Sequence, residues 1–103
     1  MSKKSVVIMP KTISVLEELG ANIKLARLRR DFSMRLICER AGISRATLWQ
    51  VEKGSPNVAI GIYAAVLHAI DGGDRELANV MKEDKLGKTI QDLNILTPKR
   101  GKK

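Results

Sequence analysis

The stretch from Met34 to Lys53, MRLICERAGISRATLWQVEK, constrains the fold more than any other part of the chain. Leu36, Ile37, Cys38 and Ala41 set out one short apolar pattern at helical spacing. Gly42-Ile43-Ser44 then interrupts it. Glycine takes the left-handed conformation that ends a helix without Cβ strain. Ile43 can plug the turn into a core. Ser44 is a good N-cap, because its hydroxyl accepts the free amides of the next turn. From that cap Ala46, Thr47, Leu48 and Val51 fall inside, with Leu48 and Val51 on one face. Arg45, Trp49 and Gln50 are left outside.

Two short helices around a glycine turn make the helix-turn-helix plan, in which the second helix enters the DNA major groove. The same spacing also suits a plain helical hairpin. Charge helps to choose between them. Nineteen Lys and Arg against eleven Asp and Glu leave a net charge of +8 on 103 residues. Such a surplus attracts polyanions, nucleic acid first and anionic membrane second. No segment is long and apolar enough to span a bilayer, and the apolar run of MSKKSVVIMP is too short for a signal-peptide core. A lone cysteine, Cys38, excludes an internal disulfide framework and fits a reducing cytoplasm. Its place in an apolar helical run makes it a small hydrophobe.

Catalysis has no basis in these residues. His68, the single histidine, has no cluster of ligands at metal spacing. Asp71-Gly72-Gly73-Asp74 fits neither nucleotide-binding fingerprint. The eleven carboxylates offer no convincing acid–base pair. The chain therefore reads as a non-enzyme with no cofactor, no metal and no small-molecule substrate.

Along the chain, residues 1–9 read as an N-terminal tail, 10–83 as the helix-turn-helix domain and 84–103 as a C-terminal partner-binding or disordered tail. Val6-Val7-Ile8-Met9 suits a short strand or an apolar hook. A first helix is expected from Lys11 to Arg30, after Pro10, with Leu16, Leu19, Ile23, Ala26 and Arg30 on one face. Pro56-Asn57 breaks the chain before a fourth helix, Val58 to Ile70, with Ile62, Val66 and Ile70 as its core stripe. Gly72-Gly73-Asp74 stops that helix, and a fifth is expected from Arg75 to Lys82. Leu86 to Leu96 carries a weaker helical pattern, and the basic end Lys99–Lys103 reads as disordered when free. The first helix also carries a second apolar stripe, Ala21, Leu25 and Leu28, opposite Ile23 and Ala26. Scattered surface leucines are ordinary, but a stripe can meet a dimer mate or another protein. Val6, Val7 and Ile8 can pair with their copy in a second subunit, and Ile90 and Leu93 can anchor in a partner's groove.

Leu19-Gly20-x-x-Ile23, Arg27, the Ala41-Gly42-Ile43-Ser44 turn and the Glu52-Lys53-Gly54 exit resemble the Cro/repressor (XRE) helix-turn-helix family. The segment Gly54 to Tyr63 is similar to a narrower branch, the HipB-type antitoxins, which pair with HipA-type toxin kinases. So is Asp84-x-Leu86-Gly87-Lys88-x-Ile90-Gln91-Asp92-Leu93, followed by Pro98-Lys99-Arg100. Two positions depart: Ile70-Asp71 stands where the family often carries Leu-Gly, and Ala59 where a Ser or Thr cap is common. The resemblance implies an all-α, five-helix repressor-like domain with flexible N- and C-terminal tails. It implies a structural ion pair between Arg27 and Glu52, and it turns Arg45, Ala46 and Gln50 toward the groove. Arginine forks onto guanine O6 and N7, glutamine pairs with adenine N6 and N7, and alanine can meet a thymine methyl. Trp49 either packs along the sugar edge or is a half-buried packing residue. Ser33 and Met34 open the helix whose free amides can hold a phosphate. Arg35, Thr47, Lys53, Ser55 and Asn57 flank the groove as phosphate contacts, which position the protein without reading sequence. The implied function is a cytoplasmic, bacterial antitoxin. It binds a double-stranded operator as a homodimer, represses its own operon and engages a HipA-type kinase through the tail. A stand-alone phage-type or housekeeping repressor, and a protein inhibitor of a toxin with a secondary DNA role, are the other readings of the same residues.

Overall fold

The computed structural model describes residues 7–96. Val6, expected to pair with its copy, and the basic end from Pro98 to Lys103 lie outside them. The described chain is all-α: α1 (Pro10–Arg29), α2 (Met34–Ala41), α3 (Arg45–Glu52), α4 (Ile60–Ala69), a 3₁₀ segment (Gly73–Asn79) and α5 (Lys85–Leu96). Pro10 occupies the first turn of α1, where its missing N–H costs nothing. Ser33 caps α2 by accepting the Leu36 amide at 3.0 Å, and Ser44 caps α3 by accepting the Thr47 amide at 3.1 Å. Gly42 ends α2 with φ 71°.

The helices close around Ile23, Ile37, Leu48, Val51, Tyr63, Val66, Ala69 and Ile70. Ile37, Leu48, Val51 and Val66 have no exposed surface. Ile43 of the turn packs against this core, half-buried. α1 packs on α3, α2 on both α3 and α4, and the 3₁₀ segment on α4. The α1–α3 crossing is close because both backbones are bare there. A Cβ on Gly20 would lie 2.5 Å from the Gly54 nitrogen and 2.7 Å from the Val51 carbonyl oxygen. Gly54 itself has φ 74° and turns the chain out of α3.

Several expectations are corrected. α4 starts at Ile60 rather than Val58, and Ala59, its N-cap residue, has no side-chain bond to offer. Val66 and Ile70 are buried as the stripe implies, whereas Ile62 is only half-buried against the core and Tyr63 and Ala69 complete the buried side. Arg30, at the end of α1, lines one groove with Leu19, Ile23 and Ala26, and its guanidinium pairs with Asp71 at 2.6 Å on the surface. Asp71, standing where glycine is frequent, adopts φ 52° and so takes the left-handed turn itself. The expected fifth helix from Arg75 to Lys82 is instead the 3₁₀ segment, closed by Arg75 N–H to the Gly72 carbonyl and Val80 N–H to the Leu77 carbonyl, each at 3.2 Å. It stops because Val80 is extended and Met81 is left-handed at φ 64°. The weaker helical pattern over Leu86 to Leu96 does form a helix, α5, within the C-terminal segment. No strand occurs among the described residues, and Val7 to Met9 take no regular form.

Candidate nucleic-acid interface

Fixing α3 against the core by Leu48 and Val51 leaves its opposite side in solvent. Arg45, Ala46, Trp49, Gln50 and Lys53 are all exposed. Trp49 is 57% exposed, so packing within the chain does not account for it. The Lys53 ammonium sits 5.1 Å from the centre of the Trp49 ring, a cation–π pair that lines both side chains along one edge of the helix. Ala46 lies in the first turn of α3 and is exposed, not inside as its spacing from the cap implies. Its small side chain leaves that end of the helix open to close approach.

The positions expected at phosphates fall into three groups. Ser33 is exposed at the start of α2, and its hydroxyl oxygen is engaged as the cap, leaving the hydroxyl proton to donate. Met34 packs half-buried against the core, so its outward contribution is a first-turn amide outside the helical ladder. Arg35 is exposed and pairs with Glu39 one turn on at 3.2 Å, a screened pair that a phosphate can displace. Thr47 is half-buried with its hydroxyl 3.0 Å from that of Ser44. Beyond Lys53, Ser55 accepts the Asn57 amide on its hydroxyl at 3.1 Å, and Asn57 is exposed.

Two features hold this surface rigid. Arg27 and Glu52, with side chains 8% and 7% exposed, form a two-pronged pair. Arg27 Nε donates to Glu52 Oε2 at 2.7 Å and Arg27 Nη2 to Oε1 at 3.2 Å, while Nη1 donates to the Phe32 carbonyl at 3.0 Å. The pair ties the last residue of α3 to α1 and to the loop before α2. The second feature is Tyr63, which the sequence reading missed. Its hydroxyl donates to the Ser55 carbonyl at 2.7 Å, anchoring the loop after α3 from inside the core. Burial pushes the Tyr63 pKa above 10.0. Arg40 was also missed. It donates to the Ala69 carbonyl at 2.9 Å and lies 4.8 Å from the centre of the Phe32 ring, joining the ends of α2 and α4. Arg27, Arg30 and Arg40 are thus committed to other parts of the chain, and the cations around α3 that remain directed to solvent are Arg45 and Lys53, with Arg35 held only by its exposed neighbour.

Away from this face, Ala21, Leu25 and Leu28 are exposed on α1, with Leu25 and Leu28 near half exposure. Val7 is exposed, whereas Ile8 is half-buried and lines a pocket with Leu16, Pro56, Val58 and Ile60 of its own chain. Ile90 and Leu93 are exposed on α5. Among the described residues no three His, Cys, Asp or Glu side chains gather as a metal set requires. No helix of the described residues is long and apolar enough to cross a membrane.

A family described as a helix-turn-helix domain matches residues 18–80, from the middle of α1 to the end of the 3₁₀ segment. No curated protein and no solved structure matches the chain.

Proposed function

Because the chain belongs to the helix-turn-helix domain family, we propose that it binds a specific double-stranded DNA operator as a symmetric dimer and represses its own operon as a cytoplasmic antitoxin. The observation that supports this most is the solvent-facing side of α3, where Arg45, Ala46, Trp49 and Gln50 stand on a helix pinned by the core and by the Arg27–Glu52 pair. Arg45 and Gln50 carry the donors that read base edges, Ala46 gives close approach, and Trp49 lies along the sugar–phosphate edge. Ser33, Met34, Arg35, Thr47, Lys53, Ser55 and Asn57 hold the backbone on either side. The antitoxin part, with a HipA-type kinase as partner, draws on the HipB-like segments at Gly54–Tyr63 and Asp84–Leu93. The apolar stripe Ala21, Leu25 and Leu28 is a surface such a partner can cover. A stand-alone repressor has one observation in its favour: the family match ends at Val80, before α5. Relief of a HipA-type kinase's growth arrest on co-expression of this chain separates the two.

Mutation tests the DNA face directly. Arg45→Ala weakens operator binding by about 1–3 kcal/mol and relaxes preference at one base pair. Lys53→Ala weakens binding to all sequences alike and flattens the dependence of affinity on salt by about one unit of slope. Titrations of both variants against operator and scrambled duplexes at several salt concentrations read this out. A change of sequence preference at Lys53, with none at Arg45, would contradict the placement of α3 in the groove.

A further inference from the structure

We propose that α5 of one protomer docks in the apolar groove between α1, α4 and the 3₁₀ segment of a second copy, so that two chains exchange helices about a two-fold axis. The proposal rests on the dimer reading above and supplies its contact. The groove is a cavity of about 390 Å³ whose apolar walls include Leu19, Ile23, Ala26, Leu67, Leu77 and Val80. It runs into a neighbouring pocket of about 190 Å³ that shares Leu19, Leu67 and Leu77 with it. α5 carries the matching surface. Leu86, Ile90 and Leu93 recur four and three residues apart, on one helical face, and are 72%, 49% and 57% exposed.

A twelve-residue helix with Gly87 inside it is marginal alone in water, so α5 needs a surface to lie on. DNA is a poor match for this one. The face is apolar, and the charges of α5 on its other side, Lys85 and Lys88 against Asp92, nearly cancel. Its own groove is also a poor match. Val80 lines that groove, and the chain leaves it through two left-handed residues, Met81 at φ 64° and Asp84 at φ 25°. Asp84 then caps α5, its carboxylate accepting the Gly87 amide at 3.1 Å and its carbonyl the Lys88 amide at 3.0 Å. No residue of α5 lines the groove of its own chain. A second copy presents the same groove and the same helix, and a two-fold axis uses both contacts twice.

Cross-linking with full-length chains tests the exchange. In a Cys38→Ser background, one chain carries Ala26→Cys in the groove and another Ile90→Cys on α5. Mixed and mildly oxidised, they are expected to form a disulfide-linked heterodimer. A chain carrying both cysteines is expected to give linked dimers. Internally linked monomers would overturn the proposal by placing α5 on its own groove. Ile90→Asp with Leu93→Asp, at exposed positions, is expected to keep the melting temperature of a dilute monomer and to weaken self-association roughly 100-fold or more by sedimentation. Unchanged self-association in that variant overturns the exchange while leaving the dimer intact, even if kinase binding is lost. A wild-type chain that stays monomeric both free and on DNA overturns the dimer reading as well.

Discussion

Glu52→Ala is expected to cost about 3–5 kcal/mol of folding stability. Both oxygens of the Glu52 carboxylate are engaged by Arg27, and both side chains are almost closed to solvent. Removing the carboxylate strands a buried guanidinium with the Phe32 carbonyl as its remaining partner. An exposed pair of the same length contributes at most about 1 kcal/mol, because water and salt replace the lost partner. Here water has little access. A small domain holds only about 5–15 kcal/mol in total, so the variant stands close to unfolding at ordinary temperature. Thermal and urea melts measure the loss. Replacing both partners together by apolar residues, Arg27→Met with Glu52→Leu, is expected to recover most of it. A loss below about 1 kcal/mol in the single variant would show that the pair is solvated after all.

Gly20→Ala sets two effects of opposite sign against each other. Alanine in a helix interior is favoured over glycine by about 1 kcal/mol. The new Cβ, however, would sit 2.5 to 2.8 Å from the Gly54 nitrogen and the Val51 and Glu52 carbonyl oxygens. Those are backbone atoms, held by the end of α3, and cannot rotate away. Overpacking costs typically about 1–3 kcal/mol and rises when backbone must shift. A net loss of about 2 kcal/mol is expected, with a wider α1–α3 crossing that also strains the Arg27–Glu52 pair. Gly61 is the internal control. It lies in α4 with nothing within 4 Å of its would-be Cβ, so Gly61→Ala is expected to stabilise the chain by up to about 1 kcal/mol. If both substitutions stabilise, the close approach of α1 to α3 is wrong.

The parts of the fold that the sequence made legible are those with local causes. Ser33, Gly42 and Ser44 mark helix ends through caps and a left-handed turn, and each sits where its chemistry puts it. Leu48 and Val51 were legible because Arg45, Trp49 and Gln50 leave α3 with one apolar side. α4 was harder. Ile60-Gly-Ile-Tyr-Ala-Ala-Val-Leu-His-Ala is apolar nearly all round, so periodicity gives its helix no preferred face. The core chose Tyr63 over Ile62, and the choice shows only once the Tyr63 hydroxyl meets the Ser55 carbonyl. The residues of the 3₁₀ segment suit an α-helix equally well, because the two differ in hydrogen-bond partner rather than in residue type. No glycine at Met81 announced its left-handed turn. Arg40 was legible only as a base near the end of α2. Its bond to the Ala69 carbonyl joins residues 29 apart in the chain, and no local pattern records it.

The central claim is that α3 reads DNA sequence. Selection of duplexes from a random pool by the full-length chain, followed by titration of the winners at several salt concentrations, tests it most directly. Enrichment of one two-fold symmetric sequence with half-site centres about 34 Å apart is expected, with an affinity that falls linearly in log–log form with salt. Equal retention of every duplex in the pool, with no sequence enriched, would contradict it.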